Sequence, residues 1–205
     1  MRRTTVDPAA TMRKLSRMVG LSHAPAFVVN LPPEEVWASA EASLPLRTRW
    51  LAHVLPLMPG LLEQPDAGTV EGLSTAYTTF CTAAEATAGR GHRRSVALSS
   101  ADRVQIEADL PRSEVAELGV CIGNPAAHEA ALARLLLAWC VLRPDVGYSQ
   151  AMNFVAAVLV ALFRHDEAGR GEALAFGAFV ALLSRLDPKF YDPRLSGFYV
   201  EAKGQ

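Results

Sequence analysis

Hydrophobic positions recur with a helical period along most of this chain, and the two-residue alternation of a half-buried strand persists nowhere. The clearest segment runs from Pro125 to Leu142. Leu132, Leu135, Leu136 and Trp139 fall there at i, i+3, i+4 and i+7, with Glu129 and Arg134 outside the stripe. Pro144 ends it, because proline disfavours helical geometry at the preceding Arg143. Tyr148 to Phe163 is apolar nearly all round, which predicts a helix packed inside a bundle. A polar turn follows, HDEAGRGE at 165–172, and then a helix over Ala173 to Leu186 that Asp187-Pro188 stops.

The first half is less regular. LPLRTRWLAHVL, from Leu44, predicts a first helix that PLMPG at 56–60 halts, and Thr69 to Ala88 predicts a second. Ser99-Ser100-Ala101-Asp102 offers capping residues before RVQIEADL, and Pro111 ends that piece. Residues 1–43 place Pro8, Pro25, Pro32 and Pro33 among short apolar pieces and read as a loosely ordered lead to a domain at 44–205. The final KFYDPRLSGFYVEAKGQ carries aromatics and turns but no further long element. The expected fold class is all-α.

Composition narrows this picture without changing it. The 205 residues are half apolar and one-fifth charged, enough for one domain with a sizeable core. A net charge of −1 gives no global field for nucleic acid or an anionic membrane. The basic run GRGHRRS at 89–95 reads as a solvated loop. Cys81, Cys121 and Cys140 form no C-x-x-C pair, Cys140 sits in an apolar helical pattern as a buried thiol would, and the five histidines lack ligand spacing. The longest apolar stretch, Phe154 to Phe163, falls short of the roughly 20 residues a bilayer span needs. The N-terminus resembles an organellar transit peptide only weakly and reads better as a frayed basic lead. No metal or cofactor of the chain's own is expected, and a soluble, cytoplasmic protein is.

Two stretches carry candidate chemistry. GYSQA at 147–151 approaches the G-x-S-x-G elbow of serine hydrolases, with Ser149 as nucleophile. An elbow needs a strand before it, and the segment here is helical in period. A hydrolase of that type also orders its triad as serine, acid, histidine; His165 follows Ser149 with no acid between. The order fails. In the same stretch Gln150 offers an amide held at a helix start. Upstream, in RVQIEADLPRS, Asp109 and Arg112 stand three apart, and Pro111 fixes the backbone before Arg112. On spacing alone the blander readings come first, a surface ion pair for Asp109 and Arg112 and a structural hydrogen-bonder for Gln150. An arginine to meet transition-state phosphoryl charge and an amide to orient the attacking water are, however, what GTP hydrolysis requires.

Ile106-x-x-Asp109-Leu110-Pro111-Arg112-Ser113 resembles the first motif, I-x-x-D-x-x-R-T, of the TBC domain, the GTPase-activating domain for Rab proteins. The stretch from Pro144 through Tyr148-Ser149-Gln150-Ala151-Met152-Asn153 to Phe154 resembles its second, built around Y-x-Q-G-M-N. More faintly, LPLRTRW at 44–50, Tyr77 and AFVALLSRLDPKFYDPRLSGFY resemble the flanking parts of that domain, so the likeness spans about 44–200. It implies an all-α domain acting in trans on a Rab-family GTPase in vesicle traffic, the partner binding the GTP and Mg²⁺. Arg112 would be the arginine finger and Gln150 the glutamine finger, with Asp109, Tyr148, Ser113 and Asn153 in support. Membrane association would be peripheral at most, at endomembrane surfaces and through the partner. Three departures stand out: Ser113 replaces Thr, Ala151 replaces Gly, and the C-terminal helical half of the domain is missing from the sequence as it stands. The last keeps a non-catalytic binding or scaffold module open as the alternative.

Overall fold

A computed structural model describes residues 40–88, 98–113, 122–150, 152–166 and 169–185. Residues 1–39 of the N-terminal lead, the basic run at 89–95, Cys121, Ala151 and everything from 186 onward lie outside the described residues. Every regular element among those described is helical. Six helices carry the fold: α1 (Ala40–Val54), α2 (Val70–Ala88), α3 (Ser100–Asp109), α4 (Pro125–Leu142), α5 (Met152–Phe163) and α6 (Gly171–Leu183). Short helical turns at Leu55–Leu57, Met58–Leu61 and Pro65–Gly68 join α1 to α2, and a further one, Leu110–Arg112, follows α3.

α4 is the central element, packing against α2, α3, α5 and α6. Its bounds match the periodicity because both ends carry chemical stops. Asn124 is the N-cap, its side-chain oxygen accepting from the backbone N–H groups of Ala126 (3.0 Å) and Ala127 (3.3 Å), and Pro125 occupies the first turn. Among the described residues α4 alone is long and apolar enough to cross a membrane, yet the stripe from Leu132 to Cys140 is occupied in the protein core.

α6 is buried from Ala173 through Leu183, as an all-apolar helix must be. It packs against α1, α2, α4 and α5. Gly177 permits the approach to α2: a Cβ there would lie 2.7 Å from Leu73 Cδ2. Aromatic rings fill the gaps, with Trp139 edge-on to Phe179 at 5.5 Å and Tyr77 tilted on Phe176 at 5.2 Å. Cys140 is buried, and burial, then the charge of Asp102, pushes its thiol up to about 12.

Two helix starts differ from the sequence pattern. α1 begins at Ala40 rather than Leu44 and carries Pro45 inside it, the Ala-Glu-Ala stretch upstream being strongly helix-forming. α5 begins at Met152, leaving Tyr148, Ser149 and Gln150 in the turn that precedes it. The backbone of that turn is engaged elsewhere.

Candidate functional site

α3 ends in two overlapping stops. Pro111 cannot donate in a further helical turn, so the chain tightens into Leu110–Arg112 and closes with Ser113 N–H on the Leu110 carbonyl at 3.1 Å. The Asp109 carboxylate turns inward and only 4% of its side chain is exposed. It accepts from the Tyr148 hydroxyl at 2.9 Å and from Gln105 Nε2 at 3.1 Å, both on Oδ2. Arg112 points out, 75% exposed, with Nη1 4.0 Å from Asp109 Oδ1. So exposed and long a pair contributes at most about 1 kcal/mol, so stability does not account for an arginine there.

The Asp109 main chain is tied to α5. Its carbonyl accepts from Ser113 Oγ at 2.9 Å, while Asn153 Nδ2 donates to Ser113 Oγ at 2.8 Å. Ser113 and Asn153 are both buried. The hydroxyl alone makes these contacts, so serine supplies what the resembling motif takes from threonine. Asn153 Oδ1 is buried with no partner among the described residues.

The second segment hangs from the end of α4. Pro144 blocks continuation, and the Arg143 carbonyl accepts from Val146 and Gly147 N–H at 3.1 and 2.9 Å. Gly147 reverses the chain with φ +66°. Its carbonyl accepts from Trp139 Nε1 at 2.9 Å, which satisfies the buried indole N–H. Tyr148 is half-buried, and burial, then the hydrogen bond and charge of Asp109, hold its hydroxyl protonated well above the ordinary tyrosine range. Ser149 donates its N–H to Met152 Sδ at 3.3 Å, and a helix and turn, not a strand, precede it. The hydrolase geometry is absent here. Gln150 is exposed at the last described position before α5.

Six residues singled out in the sequence thus fall into one structural unit. Asp109, Tyr148, Ser113 and Asn153 form a single hydrogen-bonded cluster, with Arg112 and Gln150 exposed on the two chain segments that it joins. Three contributors were not apparent from spacing. Gln105 braces Asp109, Trp139 holds Gly147, and Asp102 accepts from Tyr148 N–H at 3.1 Å; Ser99, not Asp102, supplies the N-cap of α3.

Two concavities, of about 150 and 300 Å³, lie elsewhere, one lined by Leu46, Trp50 and Leu182 and the other by His128, Val160 and Arg164. No group of His, Cys, Asp and Glu suited to a metal ion occurs among the described residues. Arg112 and Gln150 line neither of these two concavities, and both are exposed.

The Rab-GTPase-TBC domain profile matches residues 88–203, more than half of the chain, and so takes in every residue of the cluster. The chain belongs to the Rab-GTPase-TBC domain family. Members of this family are activators of Rab GTPases. A curated relative, Growth hormone-regulated TBC protein 1 of Rattus norvegicus, is 35% identical over 66 residues, covering 32% of this chain and 21% of the relative. The match therefore spans only about a fifth of that TBC protein's length. No solved structure matches the chain.

Proposed function

We propose that this TBC-domain chain accelerates GTP hydrolysis by a Rab-family GTPase in trans, with Arg112 and Gln150 as its two fingers. Arg112 supplies positive charge to the phosphoryl group as it transfers, and the Gln150 amide orients the attacking water. GTP and Mg²⁺ are held by the GTPase, and the chain itself undergoes no chemistry. The setting is vesicle traffic, on the cytoplasmic face of an endomembrane reached through the partner.

The observation that carries this reading is the double use of Asp109. One buried carboxylate lies beside Arg112 and also receives the hydroxyl of Tyr148, two residues before Gln150. An amide and a guanidinium from distant parts of the sequence are thereby tied to one anchor, while both remain exposed. Positioning two exposed groups together on one anchor suits chemistry completed on a partner.

GTP hydrolysis by a panel of Rab GTPases, with wild-type chain, Arg112→Ala and Gln150→Ala, tests it. Arg112→Ala is expected to lose about 10³-fold or more in rate. Both variants should unfold within about 0.5 kcal/mol of wild type, as exposed substitutions do. An Arg112→Ala chain as active as wild type would sink the proposal. Binding to a Rab without any acceleration would mark a non-catalytic binding module instead.

A further inference from the structure

The peptide unit joining Gly147 to Tyr148 is gripped on both edges. Its carbonyl accepts from Trp139 Nε1 of α4 at 2.9 Å, and its N–H donates to Asp102 Oδ1 of α3 at 3.1 Å. Two hydrogen bonds in opposite directions fix the rotation of one peptide plane. Asp102 and Asp109 are seven residues apart on α3, two turns along the same face. That face therefore presents one carboxylate to the Tyr148 backbone and another to the Tyr148 hydroxyl. The approach is close: a Cβ on Gly147 would lie 3.0 and 3.1 Å from the two Asp102 oxygens.

We propose that Asp102 is a positioning residue for the Gln150 amide, acting through the Gly147–Tyr148 peptide. Asp102 does not reach the partner's nucleotide. It sets the direction in which the chain leaves Gly147, and Gln150 follows two residues later. Tyr148–Asp109 fixes the ring but leaves the peptide plane free to rotate about it; Asp102 and Trp139 remove that freedom. The inference rests on Gln150 being the glutamine finger, and the experiment separates the two ideas.

The full chain is compared as wild type, Asp102→Ala, Asp102→Asn, Gln150→Ala and the Asp102→Ala/Gln150→Ala double variant. Single-turnover GTP hydrolysis by a responsive Rab gives the rate at saturating chain and the half-saturating concentration. Amide hydrogen exchange at Tyr148 reports the grip itself. Asp102→Ala is expected to speed Tyr148 exchange at least tenfold and to lower the saturating rate by about ten- to a hundredfold. The half-saturating concentration should stay near wild type. Asp102→Asn, which keeps an acceptor oxygen of the same shape, should recover most of both. Added to Gln150→Ala, Asp102→Ala should cost nothing further, whereas a merely structural residue would lower the rate again.

Unchanged Tyr148 exchange in Asp102→Ala overturns the proposal, as does a wild-type saturating rate or a loss confined to half-saturation. If Asp102→Ala does not fold, Asp102→Ser, too short to reach the N–H, takes its place. Should Asp102→Ala change exchange while Gln150→Ala and wild type hydrolyse alike on an activated Rab, the glutamine-finger reading fails and the catalytic role of Asp102 with it. The grip on the turn would then stand as a structural finding alone.

Discussion

Replacing Gly147 by alanine tests the turn at its tightest point, and three glycines allow its effects to be separated. At φ +66° an L side chain sits in the left-handed region, at a cost of about 1–2 kcal/mol. The new Cβ also meets both Asp102 oxygens, at 3.0 and 3.1 Å. Asp102 must give by a few tenths of an ångström, which strains its charge-assisted hydrogen bond to Tyr148 N–H, a bond that contributes about 1.5–3 kcal/mol when intact. Gly147→Ala should therefore cost more than the backbone term alone, up to about 5 kcal/mol if the bond is lost, against the roughly 5–15 kcal/mol that holds a domain folded. Gly169 has φ +70° with nothing within 4 Å of a Cβ, so Gly169→Ala should show the backbone term alone, about 1–2 kcal/mol. Gly60 lies in a helical turn with open space around it, and Gly60→Ala should be neutral or stabilise by up to about 1 kcal/mol. Urea unfolding of the three variants by circular dichroism gives the comparison. If Gly147→Ala costs no more than Gly169→Ala, the Asp102 contact is not what the geometry says.

Two further expectations concern half-buried polar groups. Tyr148→Phe removes a hydroxyl donor from the buried Asp109 carboxylate and should cost about 1–3 kcal/mol in urea unfolding; unchanged stability would refute the anchoring role. Glu172 joins α6 to α2 and α4 by accepting from Tyr77 Oη at 3.1 Å and from Arg134, whose Nε donates at 2.9 Å. Burial raises its pKa, but the hydrogen bonds and charge of Arg134 and the Tyr77 hydroxyl outweigh it and hold the carboxyl below its ordinary 4.5. A carboxyl depressed in the folded state favours folding above its unfolded value, and that contribution fades as pH falls through the folded one. Wild type should thus lose stability below about pH 4.5 more steeply than Glu172→Gln. Parallel pH profiles of the two would overturn that assignment.

The helices were legible where apolar period and chemical stops agree. Pro125–Leu142 has a capping Asn124 before it and Pro144 after it, and the sequence reading and the structure coincide there. α2, expected from Thr69, begins one residue later, and α6, expected over Ala173 to Leu186, runs from Gly171 to Leu183. The start of α5 was misread because Tyr148 looks apolar in a hydrophobicity pattern, yet its N–H and hydroxyl are both spent on α3. Those bonds bridge 46 and 39 residues of sequence, and no local period carries such information. The same holds for Trp139, correctly placed in the stripe by its bulk, whose N–H partner eight residues on was invisible. Ser99 to Asp102 offers several capping residues, and sequence alone does not choose among them. The fold gives the N-cap to Ser99 and leaves Asp102 for the turn.

The anchoring of two segments on one short helix has a consequence for how this surface can be altered. Changes at Asp102, Asp109, Trp139, Gly147, Tyr148 and Asn153 share partners, so their effects will not add. A substitution tolerated in one background can be ruinous in another that differs at a single member of the set. Transplanting residues 144–150 alone into a different helical scaffold would therefore carry the letters of the motif without its shape. The portable unit is the turn together with α3 and the last two turns of α4.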